Sequence, residues 1–397
     1  MEFADYPNES IMNIIDRPEI IFVKGEGSTL IDHTGHAYCD WIQGWAVNTL
    51  GHCDAGIIRT LHHQAQKLIN PSPAFYNLPM GQLAELLTQK SHFDRVFFAN
   101  SGAEANEGAI KLARKWGQIK KNGAYKIITF QDAFHGRTLA TMSASGKAGW
   151  DTMFKPQVSG FSKAKLNDLS SVKALLDDET VAVMLEPIQG EGGVVPADLF
   201  FLQQLRELTL KKQVLLIVDE VQTGCGRTGY LFAHQAAEIK PDIMTLGKGI
   251  GGGIPLAALL ATENTSLFEY GEQGGTYNGN PLMTAVGYEI ISRISHPHFL
   301  KNVQNLGQIL SEQLKNLSDK FNLLGERGVG LLRALLLPND TAFQIANIAR
   351  YLEPKGLLIN AVRPNVLRFM PALNITEKDV CEMIHLLDTA IEQSMTK

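Results

Sequence analysis

The sequence predicts an α/β fold: a largely parallel sheet covered by helices on both faces, with a smaller α+β unit beside it. Three observations predict it. Short apolar runs of strand length, rich in β-branched residues, alternate with helix-length segments through the middle of the chain. Most of these runs stop abruptly in acids, glycines and small polar residues, at 99–107, 130–138, 185–193 and 218–229. From Pro281 the alternation gives way to two helices and then a mixture of short strands and helices. Strands linked by helices assemble into a parallel sheet buried on both faces, and ligands of such sheets bind at the carboxyl ends of the strands.

In chain order, 20–40 is a small antiparallel meander, broken at Gly25-Glu-Gly27 and Thr34-Gly-His36. The stretch 43–52 holds too much glycine for a helix interior, and its Trp45 is either core or the wall of a pocket. Asp54 caps a helix to about 68, which Pro71 and Pro73 keep from continuing. A helix over 80–89 precedes the strand 95–99. That strand opens into Asn100-Ser-Gly-Ala-Glu104 and a long amphipathic helix ending near 115. A strand, a small polar loop and a helix together present free N–H groups to an anion, so Ser101, Gly102 and Ala103 form a candidate phosphate cradle. Ser101 and Glu104 also fit a capping box, and both roles can hold at once. Strands follow at 126–130 and 181–185, then a helix at 198–211 and a strand at 214–218. Beyond Pro281 come helices at 281–294 and 300–317, then 331–337, 343–352, 357–360 and 367–369, and a final helix from Glu377 to about 393.

The 397 residues, 45% hydrophobic and 19% charged, suit a globular protein of two domains. A net charge of −5 with no basic block gives no footprint for nucleic acid. No apolar run approaches a membrane span, and residues 1–10 carry acids but no base, unlike a targeting peptide, so a cytoplasmic location is expected. The four cysteines are scattered without a CxxC pair and are expected as free thiols. The eleven histidines show no ligand spacing, and no metal is expected.

The most informative stretch is 214–253. One buried run ends in Asp219-Glu-Val-Gln222, and the next, 243–246, delivers Lys248 into Gly249-Ile-Gly-Gly-Gly253. One chemistry needs an acid and a lysine at two strand ends: pyridoxal phosphate held as a Schiff base, its pyridine nitrogen kept protonated by a carboxylate. Spacing alone leaves this open against a solvated acid and a surface lysine. Gly224, Gly226 and Gly229 satisfy GxGxxG, as do Gly247, Gly249 and Gly252. Neither set forms a strand-to-helix turn, since Asp219 to Thr223 intervene in the first and a strand containing Pro255 follows the second, which argues against a dinucleotide site.

Several blocks in one order carry a resemblance: Phe98-Ala-Asn-Ser-Gly-Ala-Glu-Ala-Asn-Glu107, Phe134-His-Gly-Arg-Thr138, Glu186-Pro-Ile-Gln-Gly-Glu-Gly-Gly193, Asp219-Glu-Val-Gln-Thr-Gly-Cys-Gly-Arg-Thr-Gly229, Pro241-Asp-Ile-Met-Thr-Leu-Gly-Lys-Gly249, Gly275-Thr276 with Gly279-Asn-Pro281, and Leu367-Arg-Phe-Met-Pro371. Together they resemble the class III (subgroup II) aminotransferases, fold type I pyridoxal phosphate enzymes, and among them the members that act on N2-acetylornithine. The resemblance implies a large cofactor-binding domain over 46–284, with a mostly parallel seven-stranded sheet, and a small domain built from 1–45 and 285–397.

It also implies roles for particular residues. Lys248 would carry the cofactor and then move the proton. Asp219 would pair with the pyridine nitrogen and Gln222 with the ring hydroxyl. Phe134 and Val221 would cover the two ring faces. The phosphate would sit on Ser101, Gly102 and Ala103, joined by Thr276 from a second subunit, so a homodimer is implied. Arg137 would bind the donor's remote carboxylate and Arg368 the α-carboxylate of glutamate or 2-oxoglutarate, with Glu191 pairing with Arg368 when that carboxylate is absent. No tyrosine stands near Gly44, which favours an acylated donor, and Arg137 argues against the related aminomutases. Trp45 and Asn278 depart from the family pattern, replacing a small aliphatic residue and a glycine.

The implied reaction is transfer of the δ-amino group of N2-acetylornithine to 2-oxoglutarate in arginine biosynthesis. Succinylornithine, succinyldiaminopimelate, ornithine and 4-aminobutyrate are the rival donors. A catalytically silent binding protein is the rival from another class, and intact Lys248, Asp219, Arg137 and Arg368 argue against it.

Overall fold

A computed structural model describes residues 5–338, 348–349 and 352–395. Its centre is a seven-stranded sheet in the order Arg95–Ala99, Ala257–Ala261, Ile243–Leu246, Leu215–Asp219, Thr180–Leu185, Lys126–Phe130, Phe161–Ala164. Only Ala257–Ala261 pairs antiparallel with its neighbours. Alternation along the central strand shows why the sheet must be covered twice. Leu215 and Ile217 join one buried cluster, while Leu216 and Val218 join another. A strand buried on both faces reads as a continuous apolar run, which is what made it legible.

Register then fixes the site. Val218 pairs with Met244 and Asp219 with Thr245, so the two parallel strands end side by side. Asp219 is the last residue of its strand, and Lys248 begins a short 3₁₀ turn just past the end of the other. After that turn the chain returns as the antiparallel strand Ala257–Ala261 rather than entering a helix.

Among the described residues the remaining strands form three small sheets. Phe22–Glu26, Thr29–Asp32 and Ala37–Asp40 make the predicted meander, and Leu357–Leu358 adds to its edge in parallel. Gly325–Val329, Leu332–Leu336, Val366–Phe369 and Asn360–Arg363 form an antiparallel sheet carrying Arg368. Ile188–Gln189 pairs with Val195–Pro196, closing the glycine-rich loop that holds Glu191. The helices Pro297–Lys320 and Glu377–Met395 pack with these strands around Trp41, Leu310, Phe369 and Met383.

Asp54 caps the helix Ala55–Ala65, accepting from the N–H groups of Gly56 and Ile57. The long helix runs Gly102–Lys120, beyond the expected end, and Gly117 lies where a Cβ would stand 1.9 Å from the Ala124 carbonyl oxygen, so a side chain has no room there. The edge strand Phe161–Ala164 and the helices Leu139–Ala144 and Leu169–Leu175 were not legible. Each is short, and the strand includes Ser162 and Lys163 in place of an apolar run. The expected element at 343–352 lies largely outside the described residues. Among the described residues no helix is long and apolar enough to cross a membrane, and no group of His, Cys, Asp or Glu could hold a metal ion. Cys39, Cys53, Cys225 and Cys381 are free.

Candidate active site

At the carboxyl ends of the central strands lies a cavity of about 280 Å³, lined by Gly102, Ala103, Asn106, Phe134, His135, Gly136, Arg137, Glu186, Asp219, Val221, Gln222 and Lys248. That volume is near the lower end of small-molecule pockets, about 300 Å³. Eight of the expected site residues therefore meet in one place, although the chain brings them from four separate loops.

Asp219 is 3% exposed and held from four directions. Its Oδ2 accepts from His135 Nδ1 at 2.7 Å and Asn106 Nδ2 at 2.8 Å. Its Oδ1 accepts from the Val221 N–H at 3.0 Å and Thr245 Oγ1 at 3.4 Å. Asn106 is locked in turn, donating to the His135 carbonyl at 2.7 Å and accepting from Thr245 Oγ1 at 2.7 Å. A carboxylate so restrained has one orientation to offer a ligand. The neighbouring Glu220 turns the other way. It accepts from the backbone N–H groups of Ala233 (2.6 Å) and His234 (2.9 Å) and from His234 Nδ1 (2.7 Å), a structural role.

Lys248 takes φ +44 between two glycines, a strained backbone of the kind found at functional sites. Burial lowers its amine from the ordinary value and Arg368 adds to this, while Glu191, Glu186 and Asp219 oppose them without reversing the direction. More of the amine is then free to act as nucleophile or base.

The helix Gly102–Lys120 supplies the anion-binding end. Ser101 Oγ accepts from the Glu104 N–H at 3.3 Å, and the Glu104 carboxylate takes the N–H groups of Asn100 (2.6 Å) and Ser101 (3.0 Å), completing the predicted capping box. The N–H groups of Gly102 and Ala103 donate to no other group among the described residues. Gly102 cannot be larger, since a Cβ there would stand 2.6 Å from Val221 Cγ1. Asn278 Oδ1 accepts from Asn100 Nδ2 at 2.7 Å, tying the residue that departs from the family pattern to this loop.

Both amide atoms of Gln222 are buried without a partner among the described residues, and a Cβ on Gly190 would fall 1.6 Å from its Oε1. A buried amide so exactingly placed and unbonded is a group waiting for a ligand. With the free N–H groups, the anchored carboxylate and the lysine, it fits pyridoxal phosphate, for which Gly102 and Ala103 would face the phosphate, Asp219 the ring nitrogen and Gln222 the ring hydroxyl.

Arg368 is 1% exposed and comes from the antiparallel sheet. Its Nη2 lies 2.8 Å from Glu191 Oε1 and its Nε donates to Asn360 Oδ1 at 3.0 Å, while Nη1 is buried without a partner among the described residues. Burial raises the Glu191 carboxyl, but Arg368 beside it outweighs this and the net shift is downward. The Glu191 side chain is 31% exposed, so it has a route away from Arg368. Arg137 is exposed at the rim, over the ring of Trp150. Thr276 lies on an exposed loop, its carbonyl accepting from Asn70 Nδ2 at 3.3 Å, and does not line this cavity.

Sequence reasoning assigned no role to His135, Asn106 or Glu186. Glu186 is buried, its Oε1 accepting from the Phe134 N–H at 2.9 Å. Burial first, and Asp219 second, push its carboxyl from 4.5 up to about 8. The folded state then binds the proton more tightly than the unfolded chain, so stability is lost as pH rises from 4.5 toward about 8. Thermal denaturation of the cofactor-free protein should show Glu186→Gln gaining on wild type between pH 5 and 8; parallel pH profiles for the two would contradict this.

The Aminotransferase class-III family model matches residues 13–391. The chain is 64% identical over 396 residues to the acetylornithine aminotransferase of Ralstonia nicotianae, covering 99% of both. It superposes on an ornithine aminotransferase of Toxoplasma gondii with partial occupancy of PLP at the active site (TM-score 0.93, 31% identity, 98% of this chain and 95% of that one). The N-acetylornithine aminotransferase of Stenotrophomonas maltophilia is similar at TM-score 0.84 and 37% identity, covering 96% and 97%.

Proposed function

The chain belongs to the class-III aminotransferases, and from that premise we propose that it moves the δ-amino group of N2-acetylornithine to 2-oxoglutarate, giving N-acetylglutamate 5-semialdehyde and glutamate in arginine biosynthesis. The observation that carries this reading is the meeting of Lys248, Asp219 and the unbonded Gln222 around one cavity. Arg137 stands at its rim, and the Arg368–Glu191 pair completes the set.

Pyridoxal phosphate, when bound, supplies an aldehyde that takes up the amino group and a ring that accepts electrons from the reacting carbon. Lys248 Nζ would take the proton from the carbon bearing the δ-amino group, and in the half-reaction with 2-oxoglutarate would deliver a proton to the α-carbon that becomes that of glutamate. Asp219, fixed by His135 and Asn106, would face the ring nitrogen and pair with it. Phe134 and Val221 would hold the ring between them, and Arg137 would fix the donor's carboxylate.

Arg368 and Glu191 let one site serve two substrates. A buried guanidinium without a counter-charge costs about 3 to 5 kcal/mol, so Glu191 stays in place for a donor that brings no carboxylate to Arg368. With 2-oxoglutarate the α-carboxylate replaces it. Glu191→Ala should therefore lower kcat/KM for N2-acetylornithine about tenfold and leave the glutamate half-reaction within about threefold. Equal losses in both half-reactions would remove the gating role.

We further propose a cytoplasmic homodimer, divided within each chain into 46–284 and the small unit of 1–45 with 285–397. Tyr76 (98% exposed), Leu78 (74%) and Tyr277 (64%) leave an apolar surface beside the Thr276 loop, which supports a second copy bringing Thr276 to its neighbour's phosphate end. A donor panel tests the substrate: kcat/KM for N2-acetylornithine should exceed those for ornithine and 4-aminobutyrate by about tenfold or more. A tenfold advantage for either rival would overturn the assignment.

A further inference from the structure

Trp150 packs on two residues that line the cavity, Phe134 and Arg137, and has no part in the mechanism above. It enters on a short 3₁₀ turn after Gly149, whose φ of +79 suits glycine, and it is only 6% exposed. The Phe134 ring meets it edge-on, with centroids 5.7 Å apart and planes at 62°. The guanidinium of Arg137 lies 5.6 Å from the indole centroid, and the ammonium of Lys147 lies 5.4 Å from it. One buried indole thus touches the residue that covers the cofactor ring and the residue that takes the donor's carboxylate.

The charges around this indole are unbalanced. Among the described residues neither Arg137 nor Lys147 forms an ion pair. An exposed arginine with no partner loses rotamer freedom when it captures an anion. An aromatic face under it, itself pinned by packing, removes part of that loss in advance. Two cations on one ring also repel each other, and an anion settling beside them relieves the repulsion. The charge of Lys147 already contributes to holding Glu191 ionised, which places it within electrostatic reach of the site.

We propose that Trp150 is a positioning residue for the donor's carboxylate: its indole holds Arg137 against the Phe134 wall, with Lys147 as the second cation of the same subsite. This rests on the N2-acetylornithine reading. The indole touches no reacting atom, so its effect falls on binding of the carboxylate-bearing donor and not on the proton transfer at Lys248.

The test compares N2-acetylornithine with N-acetylputrescine, which has the same amine end and acyl group but no carboxylate. In the holoenzyme, Trp150→Leu should raise KM for N2-acetylornithine about tenfold with kcat within about twofold, and leave kcat/KM for N-acetylputrescine within about twofold. Trp150→Phe keeps an aromatic face and should recover most of the loss, to about threefold in KM. Lys147→Gln, at a partly exposed position, should also raise KM for N2-acetylornithine about threefold and spare N-acetylputrescine, so the test survives a misfolded Trp150→Leu. Equal losses on both donors, or a fall in kcat at unchanged KM, would overturn the proposal. Wild-type enzyme that fails to turn over N2-acetylornithine would instead overturn the reading beneath it.

Discussion

Replacing Lys248 by alanine is expected to lower amino transfer by a factor of about 10⁴ or more, because two contributions vanish together: a positioned acid–base group alone gives about 10² to 10⁴, and the covalent anchor is lost as well. The loss should be purely chemical. Alanine inherits the same φ of +44 that lysine already tolerates, so the turn and its glycines are not asked for a new conformation. Asp219, Gln222 and the N–H groups of Gly102 and Ala103, which would hold the cofactor in the function proposed above, are untouched. The variant should bind pyridoxal phosphate, keep its melting temperature within a few degrees of wild type, and show single-turnover rates reduced by the full factor. A rate within about tenfold of wild type would mean that another base does the work.

Asp219→Asn is expected to be the second most damaging change, lowering kcat/KM by about 10³, equivalent to about 4 kcal/mol. The side chains are nearly the same size, so packing is preserved and the charge is the variable. Two effects act in one direction. The ring nitrogen loses its counter-charge, and the new amide must present either its oxygen or its NH₂ to a pocket where His135 Nδ1 and Asn106 Nδ2 both donate to one atom. An NH₂ facing those donors leaves buried groups unpaired, which costs about 1 to 3 kcal/mol. His135→Asn should do less harm, because three of the four donors to Asp219 would remain. Steady-state kinetics on the two variants, with melting temperatures to exclude unfolding, check both statements. An Asp219→Asn enzyme within tenfold of wild type would contradict them.

These two residues were legible in the sequence because each stands at the end of a run of buried apolar residues, where sheet geometry leaves one place to go. The same logic found the helix start at Gly102 and the strands on either side of Asp219. His135 and Asn106 gave no such sign. Their importance comes from converging on a carboxylate that for Asn106 is 113 residues away, a matter of tertiary approach and not of local pattern. Glu186 was visible as an acid at a strand end, but its raised titration depends on burial against Asp219, which composition does not reveal. Trp150 lies in a stretch without periodicity, between two glycine-containing turns, and only its contacts with Phe134, Arg137 and Lys147 distinguish it. The edge strand Phe161–Ala164 escaped notice because Lys163 interrupts its apolar pattern. That lysine is half-buried, donating to Thr129 Oγ1 (2.8 Å) and the carbonyls of Ser143 (2.6 Å) and Ala144 (2.7 Å).

The most direct test of the account is to add N2-acetylornithine, without an amino acceptor, to the purified holoenzyme and follow the cofactor's visible absorption. The band should disappear in a single turnover with one equivalent of semialdehyde formed, 2-oxoglutarate should restore it, and Lys248→Ala should show neither change on the same timescale. A band untouched by N2-acetylornithine but removed by ornithine or 4-aminobutyrate, or a Lys248→Ala protein that cycles like wild type, would contradict it.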